Sequence, residues 1–131
     1  MHSQTTPLIL AANIGIMLFF TIAVAPTIFT VLPAEWAAKY VRAFFPKYYA
    51  VLGITSAVAA AFETTLSCRL LLAGCALFFF VSQWVITPAV NRARDAGREQ
   101  SFKLLHRLSV LINLVQLLIF IWVLYADLKA V

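Results

Sequence analysis

Residues Leu70 to Val90 read LLLAGCALFFFVSQWVITPAV, a run of 21 residues that contains no Asp, Glu, Lys or Arg. At a rise of about 1.5 Å per residue, a helix of roughly 20 residues crosses the ~30 Å hydrocarbon core of a bilayer. Three other apolar runs are of similar length, so that the chain has four, over residues 8–32, 48–66, 70–90 and 104–125. These runs predict four membrane-spanning segments in a single transmembrane domain, residues 1–131.

The composition agrees with a membrane class. Hydrophobic residues make up 63% of the chain and charged residues only 11%, which is too little charge to cover a folded surface with water. Backbone groups in lipid must be paired within the chain, and the runs lack the alternating pattern of barrel strands. The sequence therefore predicts an all-α fold, an integral membrane four-helix bundle.

The connections are predicted from turn-forming residues. Pro33 and Pro46 bracket the first connection, and Ser67-Cys68-Arg69 is expected to form a tight hairpin. Within the first connection Trp36, Tyr40 and Phe44 recur every fourth residue, which predicts a short interfacial helix between helices 1 and 2. An aromatic belt explains this pattern, and a gate or lid is the alternative.

Positively charged residues are concentrated at the first and third connections. Because cytoplasmic loops collect Lys and Arg, both termini are predicted to lie outside the cytoplasm, with the protein in the inner membrane. Beside a bilayer, a net charge of +5 favours contact with anionic lipid headgroups over nucleic acid. The basic residues of the two connections are Lys39, Arg42, Lys47, Arg92, Arg94, Arg98, Lys103 and Arg107.

Polar residues inside the last run fall on one helical face. His106, Ser109, Asn113 and Gln116 are spaced at i, i+3, i+7 and i+10, and this face is expected to point inward. Gln83 of the third run has a similar depth, so that it can hydrogen-bond Asn113. We call Gln83, Ser109, Asn113 and Gln116 the polar stripe. Two interpretations remain open, hydrogen bonding between helices and a ligand or ion site.

The second run contains small residues at a packing spacing. Gly53, Ala57 and Ala61 recur every fourth residue, which predicts close approach of a neighbouring helix. Glu63 follows them near the end of the run, where we expect a solvated carboxylate or one paired with Arg69.

Specific motifs flank the third connection. The motif TPAVNRARD, residues 87–95, lies at the end of the third run, and FKLLHRLS, residues 102–109, lies at the start of the fourth. Together with Ala25-Pro26-Thr27 and with FFPKYY at residues 44–49, these motifs resemble the family typified by transmembrane protein 205, whose bacterial members are classed as a domain of unknown function. The resemblance covers nearly the whole chain and implies a four-span bundle with no assigned reaction. Looser analogy to other small bundles suggests haem or copper, which is a weak warrant for function.

The cytoplasmic mouth, defined by Asn91, Arg92, Asp95 and His106, contains the candidate site residues. Asp95 is expected to pair with Arg92, and His106 to cap the helix ends or to ligate a cofactor, with haem as the candidate. The sequence contains no second His on that side, no C-x-x-C motif and no pair of His at helical spacing, so that we predict no metal site and no catalytic residue.

The function predicted from these features is non-enzymatic. The chain is expected to handle a small molecule or metal, or to serve as an accessory subunit of a larger membrane complex. A haem-binding or redox component with His106 as ligand, and a minimal oligomeric transporter, are the alternatives. The expected partners are the lipid bilayer and further protein copies or subunits.

Overall fold

The computed structural model describes residues 4–131, all in helices or short connections, with no strand among them. The four helices are α1 (Thr5–Val31), α2 (Ala34–Phe62), α3 (Leu66–Asp95) and α4 (Glu99–Ala130). Two of them are interrupted by one π-helical turn each, Phe20–Val24 in α1 and Ser82–Ile86 in α3.

Three of the helices, α1, α3 and α4, are long and apolar enough to cross a membrane. Helix α2 falls outside this set because its first part contains Lys39, Arg42 and Lys47, and because only residues 48–62 follow Lys47 before the helix ends, which is too short a stretch to span a bilayer. The chain thus has the character of a membrane protein.

The helices pack in a closed ring. Each contacts the next along the chain, and α1 also contacts α4. Short connections at residues 32–33, 63–65 and 96–98 make neighbours antiparallel, so that the first and third connections lie at one end of the ring. The hairpin predicted at Ser67-Cys68-Arg69 is wrong by a few residues, because α2 ends at Phe62 and those residues form the first turn of α3.

The last connection is a tight turn at Gly97, whose φ of 68° places it in the left-handed region that Gly adopts without strain. The Gly97 N–H donates to the Arg94 carbonyl at 3.1 Å, and the Arg98 N–H donates to the Ala93 carbonyl at 3.0 Å. These two bonds form a Schellman motif that ends α3.

The short interfacial helix is not a separate element. Trp36, Tyr40 and Phe44 belong to α2, which continues through Pro46. Pro46 lacks the N–H that would bond to the Arg42 carbonyl, a loss that usually kinks or ends a helix. Aromatic contacts offset it, because the Phe20 ring of α1 lies 4.9 Å from the Phe44 ring and 5.1 Å from the Tyr48 ring, on either side of the proline.

Each π turn precedes a proline. Pro26 follows the π turn of α1 by two residues, and Pro88 follows that of α3 at the same distance. A proline ring clashes with the carbonyl four residues earlier, which here belongs to Ile22 or Trp84, both within the π turns. The wider turn relieves this clash. Neither π turn was predicted from the sequence.

Gly53 of α2 packs against α3, but the rest of the predicted stripe of small residues is not buried. Gly53 is buried, whereas Ala57 and Ala61 are exposed. A four-residue spacing drifts by about 40° per step around a helix of 3.6 residues per turn, so that the stripe turns away from its neighbour. The buried face instead runs through Leu52, Gly53, Ser56, Ala59 and Ala60.

Candidate functional site

The polar stripe lies where α3 and α4 meet. Gln116 is buried with 3% of its surface exposed, and Asn113, Ser109 and Gln83 are half-buried. His106, the next residue on the same face toward the end of the ring, is exposed. The expected inward face therefore excludes His106, and it continues beyond Gln116 through Phe120 and Val123.

Hydrogen bonds tie the stripe to α2 and α3. The Gln116 amide donates from Nε2 to the backbone carbonyl of Cys75 at 3.0 Å. Asn113 donates from Nδ2 to the Tyr49 hydroxyl at 3.2 Å and to the Ser109 carbonyl at 3.1 Å. The Asn113 side chain thus bonds to Tyr49, and the expected bond to Gln83 does not form.

Several buried side-chain oxygens of this region have no hydrogen-bond partner among residues 4–131. Ser82, which precedes the stripe residue Gln83, is fully buried in the π turn of α3. An unsatisfied buried polar group costs about 1–3 kcal/mol, and most such groups in folded proteins have a partner. The atoms concerned are Ser82 Oγ, Gln83 Oε1, Asn113 Oδ1 and Gln116 Oε1.

A second polar seam, between α1 and α2, was missed by the sequence analysis. Thr55 donates from Oγ1 to Asn13 Oδ1 at 2.9 Å, and Asn13 donates from Nδ2 to Ser56 Oγ at 3.5 Å. Nearer the termini, Thr6 donates to the Ala59 carbonyl at 3.3 Å. An Asn in the first apolar run was the signal, since amides in such runs generally face a partner.

Among the residues of the predicted cytoplasmic mouth, the expected pairing of Asp95 with Arg92 is wrong. The Asp95 carboxylate accepts two hydrogen bonds from Arg42 of α2, one of them from Nη1 at 3.1 Å. Arg92 is exposed and Asn91 half-buried. Asp95 lies five residues beyond the apolar run that ends at Val90, and the Arg42 guanidinium holds the pKa of its carboxyl below the usual 3.8.

His106 makes no capping contact between helix ends in the described residues. Its ring stacks on Phe102 one turn earlier, with centroids 5.9 Å apart, and the Arg94 guanidinium lies over the same Phe102 ring at 5.6 Å. The two segments that contain the specific motifs of the sequence therefore meet through Phe102. His2, the other histidine, lies outside the described residues.

Glu63 is neither solvated nor paired with Arg69 through its carboxylate. It is only 3% exposed, and its Oε1 accepts the Thr65 N–H at 2.8 Å. Arg69 instead donates from Nε to the Glu63 backbone carbonyl at 2.9 Å. A small concavity of about 50 Å³ beside Glu63 is also lined by Asp127 of α4.

The two cysteines are free thiols, and both are buried. Within residues 4–131, no three His, Cys, Asp or Glu side chains lie close enough together to hold a metal ion. The arrangement offers oxygen acceptors at the polar stripe and guanidinium groups at the mouth.

No curated protein and no solved structure matches this chain. A family model described as a domain of unknown function (DUF4149) matches residues 8–99, which contain α2 and α3 and most of α1. The match ends where α4 begins, and it includes both π turns and the Arg42–Asp95 pair. Because it covers well over half of the 131 residues, the chain belongs to the DUF4149 family.

Proposed function

We propose that this chain is a non-enzymatic, four-span protein of the inner membrane, related to the transmembrane protein 205-like proteins, that binds a small polar molecule between α3 and α4. Both termini lie outside the cytoplasm in this proposal. The orientation is supported by the basic residues around the first and third connections, which lie at one end of the ring of helices.

The observation that carries the proposal is the set of buried oxygens without a hydrogen-bond partner. The amide oxygens of Gln83, Asn113 and Gln116 can only accept a hydrogen bond, whereas the Ser82 hydroxyl can both accept and donate one. The interhelical hydrogen bonds of Asn113 and Gln116 use their amide N–H groups and leave these oxygens without a partner. A molecule with N–H or O–H donors would satisfy them.

The position of Ser82 and Gln83 adds a second argument. Both lie in the π turn of α3, where the wider backbone changes the direction of side chains relative to an α-helix. Single π turns inside α-helices are frequent at functional sites. Pro88 follows this turn by two residues, as Pro26 follows the π turn of α1.

A thermal-shift experiment on the purified protein tests the proposal. The probes are ammonium, acetamide, ethanolamine and glycerol, each of which carries hydrogen-bond donors. Binding at a concentration of about 100 times Kd raises the free energy of unfolding by about 2.7 kcal/mol, which a melting curve resolves. We expect the wild type to respond to at least one probe, and the response to be lost in Gln83→Leu and Gln116→Leu.

The matched control is Gln100→Leu, which changes the same side chain at an exposed position in the first turn of α4. It should respond as the wild type does. If no probe stabilises the wild type, or if all three variants respond alike, the polar stripe is not a binding site for such molecules.

The haem alternative would require a second copy of the chain. His106 lies exposed at the end of the ring and stacks on Phe102, so that α1 to α4 do not enclose its ring. An absorption spectrum of the purified protein tests this alternative, since a Soret band that disappears in His106→Ala would support it.

A further inference from the structure

Two amides of the polar stripe present their oxygens to a ligand. The Gln116 amide bonds to the Cys75 carbonyl, which can only accept, so that its nitrogen must face this partner. Asn113 uses both of its N–H donors, one on the Ser109 carbonyl and the other on the Tyr49 hydroxyl. The orientation of both amides is thereby fixed, and the group that each has left for a ligand is an acceptor.

The helices around these oxygens have no charged side chain at the same depth. Residues 48–62 of α2, 70–91 of α3 and 108–126 of α4 contain no Asp, Glu, Lys or Arg. An anion, or the carboxylate of a zwitterion, would therefore meet amide oxygens and no cationic partner. A divalent cation would lack the carboxylates that usually bind it. The stripe thus suits a ligand that is neutral or has a single positive charge.

The surroundings of the stripe are aromatic as well as polar. Phe120 lies one turn beyond Gln116 on α4, and its ring stacks on that of Phe79 with centroids 6.0 Å apart. The Phe79 ring also contacts the ring of Tyr49, whose hydroxyl accepts the bond from Asn113. The face of an aromatic ring attracts a cation electrostatically. Rings and amide oxygens together therefore favour a positively charged ligand over a neutral one.

The ligand of this site must also be small. Ser82 and Gln116 are buried, and their unpartnered oxygens are enclosed by protein, so that a bulky molecule would not reach them. An ammonium ion is about the size of a water molecule and has only N–H donors, as the lysine ammonium has. A water molecule, in contrast, would bring an oxygen of its own that needs a donor.

We propose that the polar stripe binds a small monovalent cation with N–H donors, either ammonium or a short primary ammonium ion. This inference rests on the function proposed above and narrows the class of its ligand. Neutral oxygens can replace the water around a monovalent ion without any carboxylate, as the carbonyl rings of potassium channels do. The π turn of α3, which contains Ser82 and Gln83 and contacts α4, contributes two of these oxygens.

A matched series of ligands tests the charge and the donors separately. The melting temperature of the purified full-length protein is measured in detergent at pH 7, with tetramethylammonium chloride added to keep the ionic strength constant. Ammonium and methylammonium should raise the melting temperature. Methanol, which matches methylammonium in size but is neutral, should leave it unchanged. Potassium, a monovalent cation without donors, should act more weakly than ammonium.

A change of charge within the stripe is the second arm of the experiment. Gln83→Glu places a carboxylate among the amide oxygens and should lower the Kd of ammonium by about tenfold, the smaller end of the effect that an opposite charge within ~4–6 Å has on an ionised group. The matched control Gln100→Glu adds the same charge at an exposed position in the first turn of α4 and should leave the Kd unchanged. If Gln83→Glu does not fold, the ligand series on the wild type still decides the charge of the ligand.

The results separate this inference from the function on which it rests. If acetamide, glycerol or methanol stabilises the wild type as much as ammonium does, the stripe binds a neutral molecule, so that the proposed function stands and this inference is wrong. Equal effects of potassium and ammonium would show that N–H donors are not recognised. Equal Kd values for Gln83→Glu and Gln100→Glu would place the cation elsewhere. If no ligand of the series acts, both proposals fail.

Discussion

Gly53 offers the sharpest test of how the helices pack. A Cβ atom added at Gly53 would lie 2.9 Å from Cζ of Phe80 and 3.0 Å from its Cε1, whereas a Cβ at Gly15 or Gly74 would meet nothing within 4 Å. The Phe80 ring stacks on Trp84 with centroids 5.2 Å apart, so that turning the ring away from Gly53 would disturb this contact. Gly53→Ala should therefore force α3 or the Phe80 ring to move.

Two effects of opposite sign set the size of the change. Ala is favoured over Gly in a helix by about 1 kcal/mol, and overpacking of a filled interior costs about 1–3 kcal/mol. Gly53→Ala should lower the free energy of unfolding by up to about 2 kcal/mol. Gly15→Ala and Gly74→Ala should raise it by up to about 1 kcal/mol, because they gain helix propensity without a clash.

The assay is thermal unfolding in detergent, followed by circular dichroism. For a chain of this length, 1 kcal/mol shifts the melting temperature by about 4 °C, so that Gly53→Ala should melt roughly 4–12 °C below Gly74→Ala. Phe80→Leu removes the ring, and in a double-mutant cycle it should recover part of the loss caused by Gly53→Ala.

A melting temperature for Gly53→Ala equal to that of Gly74→Ala would refute this account of the packing. Lack of coupling between Gly53 and Phe80 would refute it as well. In either case α2 and α3 would not approach as closely at Gly53 as described.

Three further predictions concern topology, charge and the polar stripe. Cys68 and Cys75 are buried, so that the topology is better tested at exposed residues of the connections. In a variant without the native cysteines, Thr64→Cys should react with a membrane-impermeant thiol reagent in intact spheroplasts, and Arg98→Cys should react only after lysis. The reverse result would mean that the proposed orientation in the membrane is wrong. The lowered pKa of Asp95 means that its bond to Arg42 stabilises the fold above about pH 4 and that this contribution is lost as the pH falls through the folded pKa, which lies below 3.8. Asp95→Asn should therefore melt below the wild type at pH 7, and the difference should shrink as the pH is lowered below 3.8. A difference that does not change with pH would point to packing instead. Gln116→Leu removes one hydrogen bond to the Cys75 carbonyl together with an unsatisfied oxygen. We therefore expect the free energy of unfolding to change by no more than about 1 kcal/mol, as measured by thermal melting. A decrease of several kcal/mol would mean that Gln116 is primarily structural.

The all-helical fold could be predicted from local features of the chain. Runs of about 20 apolar residues in lipid have one way to pair their backbone groups, so that length and hydropathy alone determine that helices form. The polar positions of the last run could also be assigned to one face, because that assignment depends only on the geometry of a single helix.

Partners across helices could not be predicted in this way. Asp95 has two arginines within reach along its own segment, Arg92 and Arg94, and only the packing of α2 against α3 places Arg42 against its carboxylate. The same holds for Asn113, which bonds to Tyr49 of α2 because that hydroxyl, and not the Gln83 amide, faces it.

Breaks and continuities of the helices were also decided by tertiary contacts. Pro46 was predicted to mark the end of the first connection. The helix α2 instead continues through it, because Phe20 packs against both Phe44 and Tyr48. Pro26 and Pro88, in contrast, each follow a π turn.

The sequence by itself determined that this protein is built of helices, since helix formation in an apolar run depends on one segment at a time. It predicted four spans, and three of the four helices, α1, α3 and α4, are long and apolar enough to cross a membrane. The tertiary structure alone decided which charges pair and which polar atoms stay without a hydrogen bond. These features depend on how two helices rotate against each other, and that rotation is set by side-chain packing at contacts such as Gly53 with Phe80.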